Sequence, residues 1–421
     1  MMKKTTPRAQ VVLLVIISLL IGYYFGVSKV SFDWKNYKPV ISAVSKEPPP
    51  GVTTVDFSSF WNTWQKLQAS YYDKSKLDPQ KMLNGAISGM IGSLSDPFTV
   101  YLPPTQNDNF KKGLAGKFSG IGAELGIKND RDIIVIAPLD GSPAQKSGIK
   151  TQDVILKVDG ESTSGWTLSQ AVEKIRGPKD TFVILTVLHK NDKNPTDIKI
   201  KRDVITVKSV TGLIKNVKCL QKCEVVEKPC SDCQKVAYIR LSQFGDNTNS
   251  DWLNLVKDIK SRMGFKGVVL DLRNNPGGYL TDAVFIAGEF LNPGQAVVVE
   301  DTGTYERKTL RVSRNGLFRN IPVVVLINKG SASASEIVAG ALQDNKRAKL
   351  IGETSFGKGT IQQAEDLGSG AGLHITIAKW LTPNGTWVNG VGLTPDVNVA
   401  LDSKDQARDT QLEKAIEELL K

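Results

Sequence analysis

Three serines and one lysine are the residues of this 421-residue chain whose types and spacing could support nucleophilic catalysis. Ser331, Ser333 and Ser335 alternate with alanines, and Lys358 lies between two glycines, 25 positions after Ser333 (358 − 333). A serine hydroxyl is a poor nucleophile until a base removes its proton. The chain has only 2 histidines, but a lysine can act as the base if burial keeps its amine neutral. The pattern therefore predicts a Ser/Lys hydrolase.

The residues around Ser333 predict how its chemistry would be assisted. A buried-type strand at 321–327 precedes it, and a helical pattern follows at 335–343. At such a junction the N–H groups of the helix N-terminus favour developing negative charge, and Ala334 would be the first donor. A second donor would come from the glycine turn at 274–278, which follows the buried strand at 267–272.

Lys358 has more than one interpretation from sequence alone. Gln362, four positions later, could orient the lysine if the segment were helical. A phosphate-binding loop would need the G-x4-G-K-[ST] spacing, which the segment lacks. A Ser/His/Asp triad would need a histidine placed before the serine, but His189 falls in a strand of the middle domain. A catalytically silent scaffold remains the alternative from another class.

The apolar periodicity then predicts the elements that would position these residues. Two helices are expected in a region from 56 to 112, with Asp56 as the cap of the first and Asp78-Pro79 at the start of the second. Residues 113–207 read as a β-rich domain with one helix at 167–176. From residue 208 to 405, strand and helix patterns alternate, and a last helix follows at 406–421. The fold class is therefore α/β and multi-domain, with largely covered strands.

The N-terminus predicts a membrane anchor. Lys3, Lys4 and Arg8 precede an apolar run at 11–27, which is at the lower limit for a membrane-spanning helix. Basic residues before the run predict that the bulk of the chain is extracytoplasmic. A cleaved signal peptide is the rival interpretation, but no small-x-small site follows the run. We expect a cytoplasmic tip and single transmembrane helix at 1–28 and a linker at 29–55.

Four clustered cysteines mark a segment at 215–235, namely Cys219, Cys223, Cys230 and Cys233. Their short spacings suit a tetrahedral zinc site. An extracytoplasmic location favours two disulfides instead. In a hairpin, Cys219 would face Cys233 and Cys223 would face Cys230. Both interpretations are structural.

Charge and composition exclude few functions. The net charge of +11 comes from scattered lysines and arginines, and no nucleic-acid motif accompanies it, so we do not expect a nucleic-acid partner. Nothing in the sequence calls for a cofactor.

Several segments in combination resemble the C-terminal (tail-specific) processing peptidases of the S41 family. The resemblance covers nearly everything from residue 56 onwards. The segments that carry it are Leu94-Ser-Asp-Pro-Phe-Thr-Val-Tyr101, Gly267 to Gly278, Asn328 to Glu336, Gly352 to Gly359, Ile375 to Gly385 and Gly390 to Asp396. It implies a buried-sheet protease core of the crotonase/ClpP-like type, polypeptide substrates recognised through their C-termini, and a homodimer as one assembly.

The resemblance also implies roles for individual residues. Ser333 would be the nucleophile, Lys358 the general base and Gln362 the residue that orients the lysine. Gly277 or Gly278 would complete the oxyanion hole with Ala334, and Glu336 would give structural support. The middle domain is similar to a PDZ module inserted in the chain. Its implied carboxylate-binding residues are Gly120, Ile121, Gly122 and Ala123, and Arg176 would couple tail binding to the active site.

Overall fold

The computed structural model describes residues 11–12, 14–19, 23, 30–35, 38–43, 55–128, 132–139, 141–150, 152–166, 168–190, 192–219, 223–262, 264–303, 306–400 and 408–421. The chain divides into two compact units, residues 1–83 and 84–421. Each is described by itself below.

The first unit contains an antiparallel strand pair and a helix. Strand β1 (Val30–Lys35) pairs with β2 (Lys38–Ala43), and helix α1 spans Ser58–Ser70. The predicted cap of α1 is displaced by one position: Phe57 is the N-cap residue, and the Asp56 carboxylate accepts the Ser58 N–H instead. Within the described ranges, no helix is both long and apolar enough to cross a bilayer. The predicted apolar anchor lies partly outside those ranges.

Helix α2 (Pro79–Gly92) begins as the sequence predicts. Asp78 Oδ1 accepts the N–H groups of Gln80 and Lys81, so the carboxylate caps two of the donors that a helix start leaves without partners. The chain continues through strand β3 (Val100–Leu102) into helix α3 (Pro104–Leu114).

The middle domain is built on an antiparallel sheet. Its elements in chain order are β4 (Lys117–Gly120), β5 (Ala123–Lys128), β6 (Asp132–Pro138), α4 (Pro143–Lys146), β7 (Val154–Val158), β8 (Glu161–Ser162), α5 (Leu168–Ile175), β9 (Phe182–Leu188), β10 (Thr196–Lys201) and β11 (Asp203–Thr206). The strand order β10-β9-β7-β6-β5 leaves β5 at one edge, beside helix α5. Strands β4 and β11 form a separate pair. An edge strand beside a helix is the arrangement that accepts an added peptide strand.

The largest layer is a seven-stranded sheet with a parallel centre. Its elements, together with those of the sheet packed beside it, are β12 (Val210–Cys219), β13 (Cys223–Val226), β14 (Gln234–Leu241), α6 (Thr248–Ser261), β15 (Val268–Asp271), α7 (Leu280–Ala287), β16 (Ala296–Asp301), β17 (Lys308–Arg311), β18 (Val323–Ile327), α8 (Ala334–Asp344), β19 (Lys349–Gly352), β20 (Thr360–Gly368), β21 (Ala371–Leu381), β22 (Val397–Asn398) and α9 (Thr410–Leu420).

The parallel centre explains the continuous apolar runs in the sequence. Strands β14, β15, β18 and β19 pair in parallel, and every residue of β15 and β18 is buried. Helices α6, α7 and α8 contribute to the core on one face, and α9 packs on the other. The predicted alternation of buried strands and helices is confirmed, and the carboxyl ends of β15 and β18 lie at the same edge of the sheet.

A second sheet completes the C-terminal part of the chain. Its order is β17-β16-β21-β20, and the short strand β3 also pairs with β21. The long β20/β21 hairpin begins two residues after Lys358, and Gln362 lies on its first strand. The helix that would have placed Gln362 one turn after Lys358 is therefore wrong.

The cysteines form two local disulfides, Cys219–Cys223 and Cys230–Cys233. The pairing predicted from a Cys219-to-Cys233 hairpin is therefore wrong. The reason is the register of β12 with β13, which places Cys219 directly opposite Cys223. All four thiols are consumed in this way, so they are not the ligands of the zinc site that the spacing also allowed.

Candidate active site

A cavity of about 470 Å³ lies between the residues that follow β15 and β18 and the β20/β21 hairpin. It brings together residues that are far apart in the sequence: Ser333, Ala334, Gly277, Gly278, Lys358 and Gln362 all line it. The remaining walls are mainly apolar, including Phe98, Phe110 and Leu280. The described residues contain no group of three or more His, Cys, Asp or Glu side chains that could hold a metal ion.

The structure separates Ser333 from its two neighbouring serines. Ser331 donates its hydroxyl to the Leu272 carbonyl, and Ser335 donates to the Asn275 carbonyl, so both fully buried hydroxyls are used inside the fold. Ser333 alone of the three lines the cavity. It is the N-cap residue of α8 and has a φ of 55°, which is strained for a residue with a side chain.

Two backbone N–H groups beside Ser333 are available as oxyanion donors. A Cβ added to Gly277 would lie 2.8 Å from Ser333 Cβ, so the glycine turn is in direct contact with the candidate nucleophile. The Gly277 N–H, however, already donates to Asn275 Oδ1 at 2.9 Å. Within the described part of the chain, the N–H groups of Gly278 and Ala334 have no such acceptor, which favours this pair for the oxyanion hole.

Lys358 is half-buried, and burial lowers the pKa of its amine, while the negative charge of Asp96 raises it. The lowering is the physical requirement for a lysine base. Its Nζ lies 4.9 Å from the centre of the Phe98 ring. Among the described residues, no hydrogen bond joins this amine to the Ser333 hydroxyl, so the two groups share the cavity without direct contact.

A buried glutamate fixes the backbone of both candidate catalytic residues. Glu336 Oε2 accepts the N–H of Ser333 at 2.8 Å and the N–H of Lys358 at 2.9 Å. Its Oε1 accepts the Ser355 hydroxyl at 2.6 Å and the Gly357 N–H at 2.7 Å. The carboxylate therefore ties the start of α8 to the lysine loop.

Gln362 lines the cavity, and in the described part of the chain no hydrogen bond joins it to the lysine amine. Its amide donates to Thr360 Oγ1 at 2.8 Å and to Thr376 Oγ1 at 3.2 Å. The backbone at Lys358 is fixed by Trp380, whose indole N–H donates to the Lys358 carbonyl at 2.8 Å.

Two further residues, His374 at the cavity and Asp96 just before its lining residues Pro97 and Phe98, were given no role by sequence reasoning. His374 of β21 lines it, packs its ring against Phe110, and has a pKa lowered by burial and by the charge of Lys358. Asp96 acts on Lys358 from the segment before β3. The signal for Asp96 was present in the segment 94–101, but only the folded chain shows that β3 joins β21 and so brings this segment to the lysine.

The predicted carboxylate-binding loop lies between β4 and β5. Ile121 is buried, and its carbonyl accepts the Ala144 N–H, while the Gly122 carbonyl accepts the Leu139 N–H. A Cβ on Gly122 would lie 2.6 Å from Ser142 Cβ, at a φ of +74°. Only glycine therefore fits this position without displacing the loop.

Arg176 is exposed at the end of α5, near this loop. Its guanidinium lies 5.0 Å from the centre of the Phe118 ring, and a Cβ on Gly120 would contact its Cγ at 3.7 Å. The structure thus places Arg176 beside the loop, and among the described residues Arg176 does not line the cavity of Ser333.

Comparison with known proteins gives three family matches along the chain. Residues 235–399 match the model of Peptidase family S41, residues 111–188 match the PDZ domain, and residues 21–105 match the Activating protease CtpB N-terminal domain.

Individual proteins show the same similarity. The "Carboxy-terminal-processing protease" of Bartonella bacilliformis is 40% identical over 352 residues, covering 82% of this chain and 76% of that protein. The "Probable CtpA-like serine protease" of Staphylococcus aureus strain COL is 36% identical over 389 residues, covering 91% of this chain and 72% of that protein. The solved photosystem II D1 C-terminal processing protease is 31% identical, with a TM-score of 0.51, covering 81% of this chain and 92% of that structure.

Proposed function

Since the chain belongs to the S41 family of serine peptidases, among the carboxy-terminal-processing proteases, we propose that it hydrolyses peptide bonds with a Ser333/Lys358 dyad. The observation that carries this proposal is the shared cavity. Ser333 is the one serine of its segment that lines the cavity, and it does so together with a lysine whose amine is biased towards the neutral form by burial.

In the proposed reaction, neutral Lys358 takes the proton of Ser333 as the hydroxyl attacks the scissile carbonyl. The N–H groups of Gly278 and Ala334 stabilise the oxyanion of the tetrahedral intermediate. The ammonium of Lys358 then returns the proton to the leaving amine. Water, activated by the same lysine, hydrolyses the acyl-enzyme and regenerates Ser333.

Protonation of Lys358 stops this cycle, so activity rises with pH through the pKa of the lysine in the folded protein. Because burial lowers that pKa, the rise occurs below the range of a free lysine side chain, whose pKa is about 10.4. Gln362 is proposed to support the dyad from the cavity wall, where its amide donates to the Thr360 and Thr376 hydroxyls.

The dyad is tested with a serine-reactive fluorophosphonate probe and with unfolded casein as a general polypeptide substrate. Wild-type protein is expected to be labelled on Ser333 and to cleave casein. The variants Ser333→Ala and Lys358→Ala should lose both activities while circular dichroism shows a retained fold. Cleavage by folded Ser333→Ala protein would refute the nucleophile assignment, and an unlabelled, inactive wild type would favour the silent scaffold.

Substrate recognition is proposed to use the middle domain. The loop 120–123 captures a free C-terminal carboxylate with its backbone N–H groups, and the peptide tail adds as a strand to the edge of β5, beside α5. Arg176, next to this loop, is proposed to transmit tail binding to the catalytic part.

The basic and apolar N-terminus supports a membrane anchor that holds the enzyme outside the cytoplasm. The two disulfides agree with an oxidising compartment. Retention in the membrane pellet after alkaline carbonate washing of cells that express the full chain tests the anchor, and release into the wash would contradict it. Size-exclusion chromatography with light scattering tests the proposed homodimer.

A further inference from the structure

The cavity of Ser333 extends along strand β20, away from the reacting groups. Thr360 and Ala364 of this strand both line it, as does His374, the residue directly opposite Ala364 on β21. The distance from Thr360 to Ala364 along an extended strand is about 13 Å, at about 3.3 Å per residue. The cavity is therefore long enough to hold several residues of an extended polypeptide beside the bond that Ser333 would attack.

Strand β20 offers such a polypeptide an unpaired edge. It ends the order β17-β16-β21-β20, and in the described part of the chain it pairs with β21 alone. With nine residues it is the longest edge strand among the strands that the structure describes. The unpaired N–H and C=O groups of an edge strand can pair with an added strand. A substrate chain along this edge would pass from Lys358 towards Ala364.

The far end of the cavity is an apolar subsite built around His374. The Phe110 ring lies 4.5 Å from the imidazole, centre to centre, and Val100 is directly opposite His374 on β3. Phe110 is 41% exposed, although its side chain is large and apolar. With Ala364, these residues line the cavity and leave apolar surface there, which an apolar substrate side chain would cover.

His374 is the polar member of this subsite. Within the described residues its ring nitrogens have no hydrogen-bond partner, so they are available to a ligand. Burial, and then the charge of Lys358, lowers the pKa of the imidazole, which is therefore neutral at pH 7. An apolar substrate side chain fits beside a neutral imidazole, whereas a charged one would lose its hydration there without gaining an opposite charge.

We propose that Val100, Phe110, Ala364 and His374 form a subsite for an apolar substrate side chain about three to five residues from the scissile bond, and that His374 determines its specificity. The proposal rests on the proposed peptidase function, because it counts residues from a bond held at Ser333. It gives β20 a role in guiding the substrate chain and gives His374 a role that the dyad does not use.

Paired peptide substrates test the subsite. All carry the same apolar tail with a free carboxylate, and the two members of a pair differ only by Leu or Lys at one position, about three to five residues to either side of the scissile bond. At one position, wild-type enzyme should prefer Leu by about 10-fold or more in kcat/KM, because Lys would be desolvated without a partner. His374→Glu supplies that partner, so its preference for Leu at this position should fall by about 3-fold or more.

Gln363→Glu is the matched control. It adds the same charge next to Ala364, on an exposed side chain that donates to Glu365, and should keep the wild-type preference. Equal kcat/KM within every pair for wild type, or a change in His374→Glu no larger than in Gln363→Glu, would overturn the proposal. The preference is a ratio for one enzyme, so it does not depend on which residue is the nucleophile. Failure of the dyad would appear instead as casein cleavage by Ser333→Ala.

A second measurement needs neither cleavage nor a variant of His374. Diethyl pyrocarbonate modifies accessible imidazoles, and mass spectrometry follows its rate at both histidines of Ser333→Ala protein. Excess unfolded casein should slow the modification of His374 severalfold, because a bound chain covers the subsite. His189, which contacts Asp153 in the middle domain at 2.7 Å, is the internal control and should react at an unchanged rate. An unchanged rate at His374 would refute the occupation of the subsite by substrate.

Discussion

At the scale of single residues, Glu336 decides whether Ser333 and Lys358 can work together. Its two oxygens accept four donors from the nucleophile, the base and the loop between them. Glu336→Gln keeps the shape but replaces one acceptor oxygen by an NH2 group that faces two donors. Misplacing a reacting group by about 1 Å costs on the order of 100-fold in rate. We expect kcat on casein to fall by about 10–100-fold, with a smaller change in KM.

The same substitution leaves buried donors without acceptors, which typically costs about 1–3 kcal/mol of unfolding free energy. Urea denaturation followed by fluorescence measures this loss. Glu365→Gln, on the exposed part of β20, is the matched control and should change neither quantity. Wild-type kcat in a folded Glu336→Gln enzyme would show that the carboxylate does not position the dyad.

At the scale of elements, the site is made where β15 and β18 end. The apolar runs of these two strands predicted both their burial and the placement of the glycine turn and Ser333 at the same edge. Periodicity could predict this because parallel strands covered on both faces have continuous apolar sequences. The strained φ of Ser333 and the choice among the three serines depend on partners such as Leu272 and Asn275, which are distant in the sequence.

The sequence was least informative where pairing between strands decides the structure. Gln362 was considered as a helical partner of Lys358, but the β20/β21 pairing places it on a strand. The disulfides follow the register of β12 with β13, which four clustered cysteines do not specify. Phe98 reaches Lys358 only because β3 pairs with β21, a contact between residues more than 250 positions apart.

Helix α9 is tied to the catalytic edge of the sheet by a buried arginine, which yields an element-scale prediction. Arg273, just after β15, donates to both oxygens of Asp409 at 2.8 Å, and Asp409 also caps α9 through the Leu412 N–H. Asn is a good N-cap residue, so Asp409→Asn mainly weakens the pairing with Arg273. Asp409 is partly exposed, and Arg273 retains its ion pair with Asp271 in the variant. We therefore expect the free energy of unfolding to fall by about 1–2 kcal/mol.

The pH dependence of this loss identifies its cause. Burial raises the pKa of Asp409, but the hydrogen bonds and charge of Arg273 outweigh it and lower the pKa overall. A carboxylate with a lowered folded pKa stabilises the protein above its unfolded pKa, about 3.9, and this stabilisation is lost as pH falls through the folded value. The difference in unfolding free energy between wild type and Asp409→Asn should thus be full at pH 7 and shrink below about pH 4. Asp180→Asn, in an exposed ion pair with Lys201, should show little difference at either pH.

At the scale of the whole molecule, one chain carries a PDZ domain and the protease domain of a serine peptidase. If the loop 120–123 captures carboxylates as proposed, the enzyme is restricted to free C-termini, because an internal segment has no terminal anion to offer this loop. Recognition and cleavage then use different residues of the same substrate. A defect in the loop should weaken tail binding without changing how Ser333 reacts with a small probe.

Alanine substitutions at Gly122 and Gly141 form a matched pair that can separate tail binding from the reactivity of Ser333. Both have a positive φ, 74° and 70°, so alanine is strained at either position. A Cβ at Gly122 would also meet Ser142 and Ile205, whereas a Cβ at Gly141 would meet nothing within 4 Å. Only Gly122→Ala should therefore displace the loop itself.

Fluorescence anisotropy with a labelled peptide that ends in apolar residues and a free carboxylate measures the effect, in Ser333→Ala protein to prevent cleavage. Gly122→Ala should weaken binding by about 10-fold or more, which corresponds to about 1.4 kcal/mol, while Gly141→Ala should bind nearly as tightly as its parent. The amidated form of the peptide should bind poorly to every variant, because it lacks the anion that the backbone N–H groups recognise. In enzyme that retains Ser333, Gly122→Ala should still react with the fluorophosphonate probe. Equal binding of the amidated and free peptides would mean that the groove does not recognise the C-terminal carboxylate. Any restriction of cleavage to protein tails would then have to arise at the cavity.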